Sequence, residues 1–411
     1  MQLSDMILLQ NAKIFDGEKI INQNSILIKN NKFKNIGVNL KSSKDTNKIN
    51  LKNYFVMPGL IDAHFHANTP NYDFYSSDKY PKNYIAFHAH NILNDTLFRG
   101  FTTVRDAGGG DIGIKMALDE RLFQGPRFFY PGKAITQTGG HGDMRKNNFI
   151  DNCVCEYDGN ITQVVDSPDK MRKVVREEFR KGATHIKLII TGGVSTNLAP
   201  INMNHFSDKE IKICVEEANR RDSYVMAHCH TDEGAKRCLK LGIRSIEHGS
   251  LITFETAKQI AKTSSYVVPT LSAGHLIEKN SKRLGLSSAS LQKVKKVNKL
   301  RLKAIQNCFK AGVKLGLGSD LHGREYLKKQ SNELVLRSYY QKNIDVLRSA
   351  TSINAEILNM RNKIGTIKKE AFADLIVLKK NPINDINVFN NIDKNLMLII
   401  KDGEIIKNSF S

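Results

Sequence analysis

The chain has 411 residues, of which 40% are hydrophobic and 25% charged, the balance of a soluble globular protein with more than one small domain. No stretch approaches the ~18 consecutive apolar residues of a membrane span, and the apolar run 6–9 is too short, with no cleavage site after it, for a secretory signal. The net charge of +21 comes mainly from lysines spread among Asn and Ile, with no arginine-rich arm or basic–aromatic stripe, so neither a nucleic-acid nor a membrane partner is expected. Six scattered cysteines make no disulfide framework and fit a reducing cytoplasm; the Cys153/Cys155 pair, lacking a second pair at zinc-site spacing, reads as ordinary loop cysteines.

From the N-terminus, residues 7–55 read as short strands broken at Asp16-Gly17 and Asn30-Asn31. Strand-like runs then follow at 55–61, 101–107, 127–135, 184–191, 223–229, 243–247, 265–271 and 313–319, with helical spacing between most of them. Ser207 and Glu210 form a capping box that opens a helix reaching about Arg220. Residues 136–166 form a long irregular insertion after the third strand, and loops of that length are often functional. The tail returns to strands at 373–380 and 396–408, with a hairpin signal at Asp402-Gly403. The expected fold is α/β: a TIM-type (β/α)8 barrel over 58–360, with a small β-sandwich domain formed from both termini, 1–57 plus 361–411.

The informative histidines fall where these strands end, the end at which barrel active sites are built. His64 and His66 form H-x-H, and residues i and i+2 of a strand face one side. His228, His248 and Asp320 end the fifth, sixth and eighth strands. Four imidazoles and a carboxylate suit an open catalytic zinc site. Lys187 lies mid-strand, where an apolar residue is usual. It could form a buried salt bridge, or its neutral amine could react with carbon dioxide to give an anionic carbamate that bridges two cations.

PGLIDAHFHA, THIKLIITGGVST, AHCHT, SIEHGS and LGLGSDLHG together resemble the amidohydrolase superfamily. FTTVRDAGGG, TQTGGHGD and ADLIVLKKNP extend the likeness over nearly the whole chain. The subgroup resembled is that of prolidase-like, zinc-dependent Xaa-Arg and Xaa-Pro dipeptidases and carboxypeptidases, including arginine carboxypeptidases. The resemblance implies two divalent ions, expected to be zinc. One is held by His64, His66 and Asp320 and the other by His228 and His248, with carboxylated Lys187 bridging them. It also implies that Asp320 relays the proton to the leaving amine and that His141 lies near the scissile group. His230 would meet the substrate carboxylate, with His322 a further contact, and a homo-oligomer is expected. One departure is Glu370-Ala371, which replaces a turn that usually carries Gly.

The expected activity is peptide-bond hydrolysis in dipeptides or at the C-terminus of short peptides. A basic C-terminal residue is preferred if Glu278, in the loop expected after strand seven, or Asp143 supplies an anionic partner. The alternatives are an Xaa-Pro dipeptidase or a cyclic-amide hydrolase or deaminase of the same superfamily; Lys187 weighs against the deaminase. A non-enzymatic basic binding protein conflicts with the intact ligand set.

Overall fold

In the computed structural model, residues 6–145, 159–194, 199–285 and 288–410 are described. Cys153 and Cys155 lie outside them. The N-terminal strands are β1 (Met6–Gln10), β2 (Lys13–Ile14), β3 (Ser25–Lys29), β4 (Lys32–Gly37), β5 (Asn47–Asn50) and β6 (Phe55–Pro58). Four of them form a sheet in the order β4-β3-β1-β5. The turn between β3 and β4 needs a left-handed residue, which Asn30 supplies at φ 53°.

The middle of the chain is parallel. Strands β7 (Leu60–Phe65), β8 (Phe101–Asp106) and β9 (Arg127–Phe129) form one sheet. A second contains β10 (Ala134–Thr136), β11 (Thr162–Val164), β12 (Ile186–Ile189), β13 (Val225–Cys229), β14 (Ser245–His248) and β15 (Tyr266–Val268), in the order β11-β10-β12-β13-β14-β15. The third expected strand is therefore two pieces, split where Pro131-Gly132 interrupts the ladder. The expected eighth strand makes one parallel bridge, Val267 to Leu315, yet carries hydrogen bonds onward to β7: Ala63 N to Leu317 O at 2.8 Å and Asp320 N to His64 O at 2.9 Å.

Helices follow most of these strands. Pro168–Arg180 starts at the Ser167 cap and buries Met171, Val174 and Val175, an i, i+3, i+4 face. Asp208–Asn219 opens with the expected capping box. Isoleucines and valines of β12 to β15 and of these helices share one buried core.

At the tail, β16 (Leu375–Leu378), β17 (Leu396–Lys401) and β18 (Glu404–Asn408) join β6 and β2 in a five-stranded sheet, β18-β17-β16-β6-β2, so both ends of the chain contribute. Its apolar face packs on the four-stranded sheet through Leu9, Ile26, Val56, Leu375 and Leu398. Asp402 and Gly403 are both left-handed, as a two-residue hairpin requires. Glu370 also adopts φ 68°, so the turn keeps a glycine-type backbone without a glycine.

Candidate active site

Strand register brings the sequence-selected residues together. Ile189 pairs with His228 and Cys229 with His248, so β12, β13 and β14 end side by side. Two groups of ligand atoms result, each within 4.8 Å: His64, His66 and Asp320, and His228, His230 and His248. The two are adjacent, with the His64 and His248 ring centres 5.0 Å apart. His248 (φ 70°) and Asp320 (φ 53°) sit in left-handed backbone, a strain that non-glycine residues keep mainly at functional sites. Lys187 is buried and lines the same cavity.

The donor set fits cations. His64 Nε2, His66 Nε2 and His322 Nε2 lie 3.3, 3.4 and 3.5 Å from one oxygen, Asp320 Oδ1. His228 Nε2 and His66 Nδ1 are buried without a hydrogen-bond partner. Burial, then repulsion from His322, pushes His66 down to about 3 despite Asp320. Burial, then His141 and the neighbouring imidazoles, holds His228 well below the ordinary range. Neutral imidazoles with free lone pairs are what a cation needs. Burial also lowers Lys187 to about 8, against the attraction of Glu247 and Asp320. Burial opposes ionisation of Asp320, but His64 and the bonds from His322, His64 and His66 keep it well below the usual carboxylate range.

Several supporting residues were not selected from the sequence. Glu247 Oε2 lies 2.6 Å from His64 Nδ1, which leaves His64 Nε2 to face the site. Arg105 Nη2 donates to the other Glu247 oxygen at 2.9 Å, and both side chains are fully buried. Asp62 accepts from Ser319 N, Ser319 Oγ, Gln330 Nε2 and His64 N, fixing the turn that carries Asp320. Thr270 Oγ1 sits 2.8 Å from His248 Nδ1. Glu247, Asp62, Arg105 and Ser319 lie inside the motifs SIEHGS, PGLIDAHFHA, FTTVRDAGGG and LGLGSDLHG, in which the metal-ligand histidines and Asp320 drew the attention; Thr270 and Gln330 lie outside them.

A cavity of about 140 Å³ lies over the two groups. His141, His230 and His322 line it. The His141 ring packs 4.4 Å from that of His228, and a Cβ at Gly193 would strike it. Burial, then His205, lowers His141 to about 3. Two expectations need correction. Glu278 lies in the helix Leu271–Lys279 rather than a loop, is absent from the lining, and accepts from Asn298 Nδ2 at 2.8 Å. Asp143 is also absent from the lining, because Arg145 holds it through Nε (2.8 Å) and Nη2 (2.7 Å). Among the described residues, Asp320 is the one carboxylate lining the cavity, while Arg301, overlooked in the sequence, lines it as a buried cation. His185 fills a deeper layer, stacked on Tyr224, and His275 is exposed outside the cavity.

The amidohydrolase family pattern matches residues 55–406, and the chain belongs to this family. A crystal structure of a prolidase complexed with N-methylphosphonate-L-proline is 35% identical, with a TM-score of 0.93 over 98% of this chain and all of that one. A Xaa-Pro dipeptidase crystallised with methionine in its active site is 29% identical, with a TM-score of 0.83 over 98% of this chain and all of that one. Ochratoxinase of Aspergillus niger is 27% identical over 384 residues, 90% of this chain and 78% of that protein. The chain is thus a hydrolytic enzyme of the prolidase-like subgroup with a TIM-barrel-containing α/β fold. Among the described residues, no helix is long and apolar enough to cross a membrane.

Proposed function

We propose that the protein is a binuclear metal-dependent peptidase acting on dipeptides or on the last bond of short peptides. The observation that carries this reading is the convergence of His64, His66, His228, His248, Asp320 and buried Lys187 in one cavity. His64, His66 and Asp320 would hold one ion, expected to be zinc, and His228 and His248 the other, with Lys187 bridging as a carbamate. When bound, the ions supply Lewis acidity and a hydrolytic water of lowered pKa. Asp320, an anion at neutral pH, would take the water's proton and return it to the leaving amine. His141, neutral at that pH, would donate a hydrogen bond to the developing oxyanion. The apolar lining near Ala273, Ile277 and Val294 would exclude water.

The chain would fold as a closed (β/α)8 barrel over 58–360 beside a β-sandwich of 1–57 and 361–411. The strand order around the middle of the chain and the mixed terminal sheet support this. A homo-oligomer in the cytoplasm completes the reading. Its support is the exposed Phe87 and Leu122 and, among the described residues, the free thiols of Cys214, Cys229, Cys238 and Cys308.

Specificity departs from the sequence expectation. A basic C-terminal residue needs an acid in the cavity, and neither Glu278 nor Asp143 is there. The geometry favours an uncharged C-terminal residue, apolar or proline. With zinc-loaded protein, kcat/KM for Ala-Leu or Ala-Pro should exceed that for Ala-Arg; Ala-Arg as the best substrate would restore the basic-residue reading. No cleavage in a broad dipeptide panel would reject the peptidase. Lys187→Ala should drop bound metal from about two ions per chain, the count for a two-metal site. Full occupancy in that variant would remove the lysine bridge.

A further inference from the structure

The helix Lys82–Phe98 carries apolar side chains on two faces, the pattern of a helix covered on both sides. Ile85, Ala89, Ile92, Leu93 and Leu97 are buried against the body of the protein. On the opposite side, Tyr84, Phe87, Asn91, Asn94 and Phe98 recur at alternating spacings of three and four, which aligns them in one stripe. Phe87 is 73% exposed, Tyr84 45% and Phe98 37%. This spacing is that of a seam that receives a second helix.

Charge singles the stripe out. A quarter of the chain's residues are charged, yet positions 83–94 hold no Asp, Glu, Lys or Arg. Asp95 is turned sideways to Arg324, which donates to it through Nε at 2.6 Å and Nη2 at 3.1 Å. Two copies of a chain with a net charge of +21 repel each other, so they meet best through a surface that carries little charge. The next turn of the chain widens this face. The Phe123 ring lies 4.8 Å from that of His90, and Asn94 Nδ2 donates to Gln124 O at 3.2 Å, which brings exposed Leu122 beside the helix. Aromatic side chains with few charges are the composition of an interface core.

We propose that this stripe is the contact between two copies of the chain, with their helices antiparallel across a two-fold axis at Asn91. A two-fold contact has to be self-complementary. Tyr84 and Phe98 each lie seven residues from Asn91, on opposite sides of it. Antiparallel pairing therefore sets Tyr84 of one copy on Phe98 of the other and brings the two Asn91 amides within reach of each other. A single polar pair in an otherwise apolar seam fixes the register. A lipid surface is a poorer fit, because interfacial helices flank their apolar side with Lys and Arg, which are absent over 83–94. The proposal rests on the homo-oligomer reading and adds to it the surface and the symmetry.

Light scattering on the full chain reads the assembly. Wild type should hold an even number of chains. Phe87→Glu sets carboxylates into the seam and should weaken the contact about 100-fold, at least halving the mass at micromolar concentration with the far-UV circular dichroism unchanged. Disulfide formation under oxidised glutathione reads the register and does not depend on that variant folding. Asn91→Cys, on the axis, should give a linked dimer above the wild-type background. Phe98→Cys alone should not, since its two copies stand about 20 Å apart, whereas Tyr84→Cys co-expressed with Phe98→Cys should. A monomeric wild type would overturn the surface and the homo-oligomer reading together, and flotation of that monomer with phosphatidylglycerol vesicles would assign the stripe to lipid. An oligomer that Phe87→Glu leaves intact and Asn91→Cys does not link would overturn the surface alone. A halved mass in Phe87→Glu with no link at Asn91 would overturn the two-fold register.

Discussion

Glu247 acts on the site at one remove. It holds His64 by Nδ1 and neutralises Arg105, and neither partner of that ion pair is exposed. Burial opposes its ionisation, but Arg105 and His64 lower it to about 2. Glu247→Gln keeps the shape and an acceptor but removes the charge. Metal affinity at the His64 side should fall about 10–100-fold, and the unpaired Arg105 should cost about 3 kcal/mol of stability. Metal titration together with thermal unfolding checks both; unchanged affinity would mean that Glu247 serves only the fold. The strand-end histidines were readable because each ends an apolar run whose period-two pattern assigns it a face. Arg301 was not readable, since it sits among Lys293, Lys295, Lys296, Lys299 and Lys303, and only burial separates it from them. Glu278 failed for the converse reason: it lies near the cavity in sequence, but helical rotation turns it to Asn298.

Elements were legible where a local rule specified them. The capping box at Ser207 and the Asp402-Gly403 hairpin need only a few adjacent residues. The third and eighth strands needed tertiary information, because their runs are apolar while Pro131-Gly132 and the glycines at 316 and 318 interrupt regular pairing. Gly318 must be small, since a Cβ there would lie 2.5 Å from that of His64. Between helices Pro168–Arg180 and Asp208–Asn219, Glu217 is nearly unexposed and gathers Arg172, Arg176, Arg220 and Arg221. The bond from Arg176 leads; burial opposes it, and Arg221 and Arg172 help bring Glu217 to about 2 from an ordinary 4.5. A depressed carboxylate stabilises the fold fully above its unfolded pKa, and that contribution is lost as pH falls through the folded value. Glu217→Gln should therefore unfold at lower temperature than wild type at pH 7, with the gap narrowing as pH drops below 4.5 towards 2. A gap independent of pH would show that packing, and not charge, joins the two helices.

At the scale of the molecule, the first and eighth segments of the parallel sheet must meet for His64 and Asp320 to share a site. That junction has few ladder bonds, and Asn354, from the helix Ser352–Ile357, supplies others. Its Nδ2 donates to Ile61 O at 2.6 Å and Leu317 O at 2.8 Å, and its Oδ1 accepts from Leu317 N at 3.1 Å. His64 lies three residues beyond Ile61 and Asp320 three beyond Leu317, so one buried amide fixes both segments just upstream of both ligands. The bond from Asn354 to Ile61 spans 293 residues, a separation at which no local pattern in the sequence could reveal it. Asn354→Ala should cost about 1–3 kcal/mol, because the buried Ile61 carbonyl loses the amide that bonds it while Leu317 keeps its bonds to Ala63 and Ser349. It should also weaken metal binding at the His64 and Asp320 side while leaving His228 and His248 with their Thr270 and strand contacts. Titrating the apoprotein with zinc distinguishes these effects: one weakened site of two is expected. Loss of stability with both affinities intact would show that the junction holds the fold without setting the distance between its ligands.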